Sequence, residues 1–169
     1  MLRSPAYHLA QVNIARMNAP LDDPAMAGFV ARLAEINALA DQSPGFVWRL
    51  QSEAGNATYL RPYDDERILF NLSVWQSVEQ LKDYVYRTAH SEVMRQKGQW
   101  FQKFGRPYFA LWWVRAGHIP TVAEAKQRLD YLEAHGETAQ AFTFKQIFPA
   151  STAGDDRFSG ELLKPCLSS

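Results

Sequence analysis

Apolar and polar positions fall into short blocks along the chain, each long enough for one element. Tyr7–Ile14 sets Tyr7 and Leu9 on one side and Val12 and Ile14 on the other, the period of a strand. Asp23-Pro24 opens a helix, because an Asp side chain accepts from free N–H groups and proline suits the first helical position. Phe29, Leu33, Ile36 and Ala40 then recur as one apolar stripe, and Ser43-Pro44-Gly45 ends it. Phe46–Gln51 alternates Phe46, Trp48 and Leu50 against Val47, Arg49 and Gln51, a strand with one wetter face. Glu53–Tyr63, with Gly55-Asn56 and Arg61-Pro62, is a connection with room for a short hairpin. Ile68–Trp75 is the strongest strand, with Ile68, Phe70, Leu72 and Val74 on one side and Leu69, Asn71, Ser73 and Trp75 on the other.

The second half is also built of short blocks, with no internal repeat. Ser77-Val78-Glu79-Gln80 is a capping box. It starts a helix through Leu81, Tyr84 and Val85 that continues, or bends near His90, on its way to Phe104. Gly105-Arg106-Pro107 stops it, and Tyr108–Arg115 is a strand apolar on both faces, which demands cover on both. Thr121-Val122-Ala123-Glu124 is a second capping box, followed by the stripe Val122, Ala125, Leu129, Leu132 and a terminating Gly136. Phe142–Phe148 reads as a fifth strand, and residues 149–169 as a tail.

The order over residues 7–115 is β-α-β-β-α-β. That predicts an α+β fold of the ferredoxin-like kind, a four-stranded antiparallel sheet with two helices on one face. One domain spans 5–148, with 117–148 as a helix-strand extension. Helices on one face leave the other uncovered, and a second copy of the chain is the simplest cover, so a homodimer is expected.

Composition narrows the classes. Eighteen Lys+Arg balance eighteen Asp+Glu, so the chain lacks the cationic excess that nucleic acids and anionic membrane surfaces select. The single cysteine, Cys166, excludes an intramolecular disulfide framework and Cys-rich metal sites. No apolar run approaches the roughly 18–20 residues that span a bilayer. With no hydrophobic signal core at the start, a cytoplasmic protein is expected. Aromatic residues are abundant at 13%, including 5 Trp and 10 Phe, and they either pack a wide core or line an apolar pocket.

Phosphate-binding loops, zinc-protease and nucleophile-elbow motifs are all absent. What remains is Asn71 to Ser77, then Tyr84, Tyr86, Arg87, His90, Arg95 and Trp100. Asn71 and Ser73 put an amide and a hydroxyl on a strand otherwise made of Ile, Leu, Phe and Val, and buried polar groups need partners, a ligand or water among them. Tyr86, Arg87 and His90 share a helix face. Trp112 and Trp113 point to opposite faces of their strand. His8, His118 and His135 have no companions and read as surface residues.

The run Leu72-Ser73-Val74-Trp75-Gln76-Ser77, then a helix with Leu81, Tyr84 and His90, resembles a segment of the dimeric α/β-barrel superfamily. That group includes antibiotic-biosynthesis and haem-degrading monooxygenases. Tyr84 to His90, with Trp100-Phe101 and Trp112-Trp113, is most similar to a monooxygenase-like family without assigned function. The resemblance implies a dimeric barrel and two candidate chemistries. In cofactor-independent quinol-type members, an Asn and a Trp four positions later bind the substrate's oxygens and an Arg assists; Asn71, Trp75 and Arg95 match. In haem-degrading members a His ligates iron, with an aromatic and a first-strand Asn nearby; His90, Tyr84 and Asn13 occupy those places. The expected site is therefore catalytic at Asn71, Trp75, His90 and Arg95. Asn13, Ser73, Tyr84, Tyr86, Arg87, Trp100 and Trp112 would bind a small apolar ligand. No cofactor is expected on the first reading, and haem on the second. A third reading is a non-catalytic ligand-binding or assembly module.

Overall fold

The computed structural model describes residues 6–51, 62–88, 90–103 and 105–151. Cys166 and the His90 side chain lie outside the described residues, as do most of the Glu53–Tyr63 connection and of the tail.

Strand β1 (Tyr7–Met17) is the centre of the sheet. Asp23 accepts from the Ala25 amide at 2.8 Å and Pro24 begins a single 3-10 turn, which feeds α1 (Ala27–Gln42). Gly45, at φ +82°, turns the chain into β2 (Phe46–Arg49); a Cβ there would run into the Gln80 side chain. Strand β3 (Ile68–Trp75) leads to α2 (Val78–Arg87), whose Ser77 cap accepts from the Gln80 amide at 3.2 Å. Next come α3 (His90–Trp100), the two-residue β4 (Phe101–Gln102), β5 (Phe109–Arg115) and α4 (Val122–His135).

The sheet is antiparallel, with lanes in the order β2-β3-β1, and β5 and β4 share the far side of β1. β5 pairs with Tyr7–Asn13 and β4 with Arg16–Met17, so the fourth lane of the ferredoxin-like sheet is present but interrupted. This is the α+β fold that the element order predicts.

Three features differ from the sequence pattern. The long second helix is two helices: α2 ends at Arg87, and Thr88 is extended with φ −118° and ψ 179°. The apolar stripe explains the break, since it lapses after Val85 and resumes only at Val93. Residues 142–148 are not a strand. Phe142 makes one bridge to Leu111, after which the backbone N–H groups go to side chains: Thr143 to Glu137 Oε2 at 2.6 Å, and Lys145 to Thr143 Oγ1 at 3.1 Å. Side-chain acceptors have displaced the ladder.

The third difference concerns cover. α4 lies across the sheet face that the other helices leave open, and Ala125, Leu129 and Leu132 bury Ala10, Val12, Ala110, Trp112 and Val114. The uncovered face from which a homodimer was expected is closed within the chain.

The opposite face carries α1, α2 and α3. Its apolar residues form two separate clusters. One holds Leu9, Trp75, Val78, Leu81, Leu111 and Phe142, and the other Met17, Met26, Leu69, Val93 and Trp100. Between them the sheet is polar.

Candidate functional site

The register of the sheet builds the site. On the α1–α3 face, one row across the strands reads Trp113, Leu9, Trp75, Phe46. The next reads Leu111, Gln11, Ser73, Arg49, and the third Phe109, Asn13, Asn71. Gln11 and Ser73 are direct cross-strand partners, and so are Asn13 and Asn71. Four uncharged polar side chains thus occupy two adjacent positions on the two central strands.

Above them is a cavity of about 220 Å³. Phe29, Leu33, Ile36 and Ala40 of α1 form one wall; Ala40 is buried and the other three are half-buried. Leu81, Tyr84 and Val85 of α2 and Val93 of α3 close another side, with Phe46 and Phe109 at the sheet edges. An apolar enclosure around a few convergent polar groups is the usual form of a small-molecule site.

The polar floor is internally wired. The Trp75 Nε1–H donates to Ser73 Oγ at 3.0 Å, the Ser73 hydroxyl donates to Gln11 Oε1 at 2.8 Å, and Gln11 Nε2 donates to Asn13 Oδ1 at 2.8 Å. Gln11 is only 7% exposed, which makes these bonds structural as well as chemical. The Asn13 amide nitrogen and the whole Asn71 amide have no hydrogen-bond partner among the described residues. Asn13 thus has its NH2 free at the cavity, and Asn71, a lining residue that is itself exposed, offers its whole amide.

Two guanidinium groups reach the lining. Arg49 forms a two-point ion pair with Asp41, at 2.7 and 3.2 Å. Arg32 pairs with Glu92 at 3.3 Å and Glu35 at 3.7 Å. Arg49 reaches this face through a bulge: Phe46 pairs with Trp75, but Trp48 pairs with Val74, so Val47 is an extra residue and the faces after it are exchanged. Tyr84 stacks on Trp75, 5.0 Å between ring centroids, and donates to the Ile36 carbonyl at 3.3 Å. Burial pushes its phenol well above the usual range, while Arg49 and Asp41 pull in opposite directions.

The expected site residues separate clearly. Asn13, Asn71, Ser73, Trp75 and Tyr84 meet at the cavity. Trp75 does so with its ring, because its N–H is committed to Ser73 rather than turned to a ligand. Trp112 is on the wrong face: it is buried under α4, and its Nε1 donates to Glu124 at 3.1 Å. Trp100 is core, packed with Met17 and Met26, and its ring lies 3.4 Å from where a Cβ on Gly28 would sit. Tyr86, 61% exposed, packs on Phe144 outside the cavity; Arg87 is exposed beside Asp83, and Arg95 is exposed on α3. His90 begins α3. Gln11, Arg32, Asn37 and Arg49 line the cavity without having been singled out. For Gln11 the signal was available, since it sits between Leu9 and Asn13 on one face of an alternating strand.

The haem reading rests on His90, whose side chain lies outside the described residues, and the cavity is small for a tetrapyrrole. At about 220 Å³ it is below the roughly 300 Å³ where sites for drug-sized ligands begin, and a tetrapyrrole is larger still. No His or Cys is among the described lining residues.

Fold and site together define an α+β domain with a helix-covered antiparallel sheet and a small, mainly apolar cavity with an amide floor. Residues 8–157 match the family described as "Domain of unknown function (DUF3291)", and the chain belongs to it. No curated protein matches. Among solved structures, the chain is similar to SnoaB of Streptomyces nogalater, described as a cofactor-independent oxygenase. The identity is 16%, over 69% of this chain and 100% of that one, with a TM-score of 0.47. A point mutant of SnoaB gives 14% identity, 66% and 95% coverage, and a TM-score of 0.44.

Proposed function

We propose that the cavity binds a one- or two-ring apolar compound bearing an oxygen. The Asn13–Asn71 pair holds that oxygen, and the protein acts on the compound as a monooxygenase-like enzyme. The observation that carries the reading is the placement of two amides, directly opposite in register, at a mainly apolar cavity that is open to solvent beside Asn71. Its size supports the ligand class: a dry cavity of about 150 Å³ accommodates benzene, and drug-sized ligands need about 300 Å³ or more. N–H donors in an apolar site stabilise charge that develops on a phenol or enol oxygen. An electron-rich anion of that kind reacts with O2 directly. One oxygen atom enters the ring carbon and the other leaves as water, taking the ring and hydroxyl hydrogens.

A second reading, a binding module without catalysis, is favoured by one observation. No described lining side chain is a carboxylate or an imidazole, so the cavity brings no evident base for the substrate's proton.

Oxygen uptake with a panel of phenols, naphthols and quinols, beside ligand binding followed by tryptophan fluorescence, separates the two. The enzyme reading expects uptake with at least one compound, and a loss of about tenfold or more in kcat/KM in Asn71→Ala. Binding without oxygen uptake leaves the module reading. Absence of binding by every compound contradicts both.

A further inference from the structure

The chain of hydrogen bonds on the cavity floor has a direction, and one residue sets it. An indole N–H only donates, so Ser73 Oγ accepts from Trp75. The serine's own hydrogen then finds its acceptor in Gln11 Oε1, 2.8 Å away. That fixes the Gln11 amide with its NH2 toward Asn13, and Asn13 answers with Oδ1. The Asn13 NH2 is left facing the cavity. With both amides reversed, the serine hydrogen loses its acceptor and Asn13 shows a carbonyl oxygen to the ligand instead.

We propose that Trp75 is a positioning residue: its indole N–H, relayed through Ser73 and Gln11, orients Asn13 as a donor, so that the cavity selects ligands presenting a hydrogen-bond acceptor, such as a carbonyl, enolate or phenolate oxygen. This rests on the reading of the cavity as a ligand site. The ion pairs agree with it. Arg49 and Arg32 both have carboxylate partners, so neither offers an uncompensated cation, and the buried Arg32 Nε–H, with no hydrogen-bond partner among the described residues, is one further donor beside the amides.

Two neutral probes of matched shape test the selectivity, 1-acetylnaphthalene with a carbonyl acceptor and 1-isopropenylnaphthalene, in which a CH2 replaces the oxygen. The wild-type chain is expected to prefer the ketone by about tenfold, the value of one net hydrogen bond. Trp75→Phe keeps an aromatic ring and removes the donor, and Gln11→Glu, measured at a pH where the carboxylate is ionised, can only accept from Asn13. Both are expected to lower the ketone-to-alkene ratio several-fold, Asn71 remaining as a donor. An unchanged ratio in the two variants overturns the proposal.

A ligand-free measurement keeps the relay separate from the functional reading. In the 15N-labelled chain, the Gln11 side-chain amide protons should exchange slowly with solvent, and Trp75→Phe should accelerate them. If neither probe binds, the functional reading fails and the exchange data decide the relay. Unaltered exchange in Trp75→Phe overturns it.

Discussion

Gln11 carries more of the site's structure than its place in the strand suggests. It is buried, it joins β1 to β3 through Ser73, and it holds the Asn13 carbonyl. Gln11→Leu leaves a hydroxyl and an amide oxygen unsatisfied, so a loss of about 1–3 kcal/mol is expected in urea unfolding. Asn71→Ala removes no bond within the described chain and should change stability by no more than about 0.5 kcal/mol. Tyr84 gives a pH signature. Its folded-state pKa is raised above the ordinary value near 10 by burial, so the unfolded chain ionises first. Stability should hold below pH 10 and fall as pH rises beyond it, and Tyr84→Phe should flatten that limb. At this scale the polar residues Asn13, Asn71 and Ser73 were legible because they interrupt apolar strands. Gln11 was equally legible by its two-residue spacing. Arg49 was not, because strict alternation places it with Val47 and only the bulge against β3 separates them.

Among the elements, start signals were the most legible features. Asp23, Ser77 and Thr121 each accept from the backbone of the turn they precede. The junction after α1 depends on Gly45, whose positive φ and closeness to Gln80 exclude a side chain. Gly45→Ala should cost at least about 1–2 kcal/mol from the backbone conformation alone, read as a lowered urea midpoint. Ends of elements were harder to read. The split between α2 and α3 is written in the gap from Val85 to Val93, yet the intervening residues are all compatible with helix. Thr88 ends α2 in extended conformation, and its carbonyl accepts from the amide and hydroxyl of Ser91. Residues 142–148 look like a strand by composition. Glu137 and Thr143 decide otherwise, because they take the N–H groups a ladder would have used.

For the molecule as a whole, the lesson lies in pairing unsatisfied surfaces. The stripe Val122, Ala125, Leu129, Leu132 needed an apolar partner, and the sheet had a bare face; each is the other's answer. Their packing is a matter of tertiary geometry, which local periodicity does not report. Leu129→Ala should therefore destabilise the fold by about 2–5 kcal/mol, seen as a drop in Tm, since it opens a void against the sheet. With α4 on that face, the proposed ligand site belongs to the α1–α3 side, with its amide floor. A titration of the 15N-labelled chain with 1-naphthol tests this most directly, because Trp75 and Trp112 report opposite faces of one sheet. Shifts are expected in the side-chain amides of Asn13 and Asn71 and in the Trp75 indole, with the Trp112 indole unmoved. Shifts centred on Trp112, or none at the two asparagines while naphthol binds elsewhere, would contradict that placement.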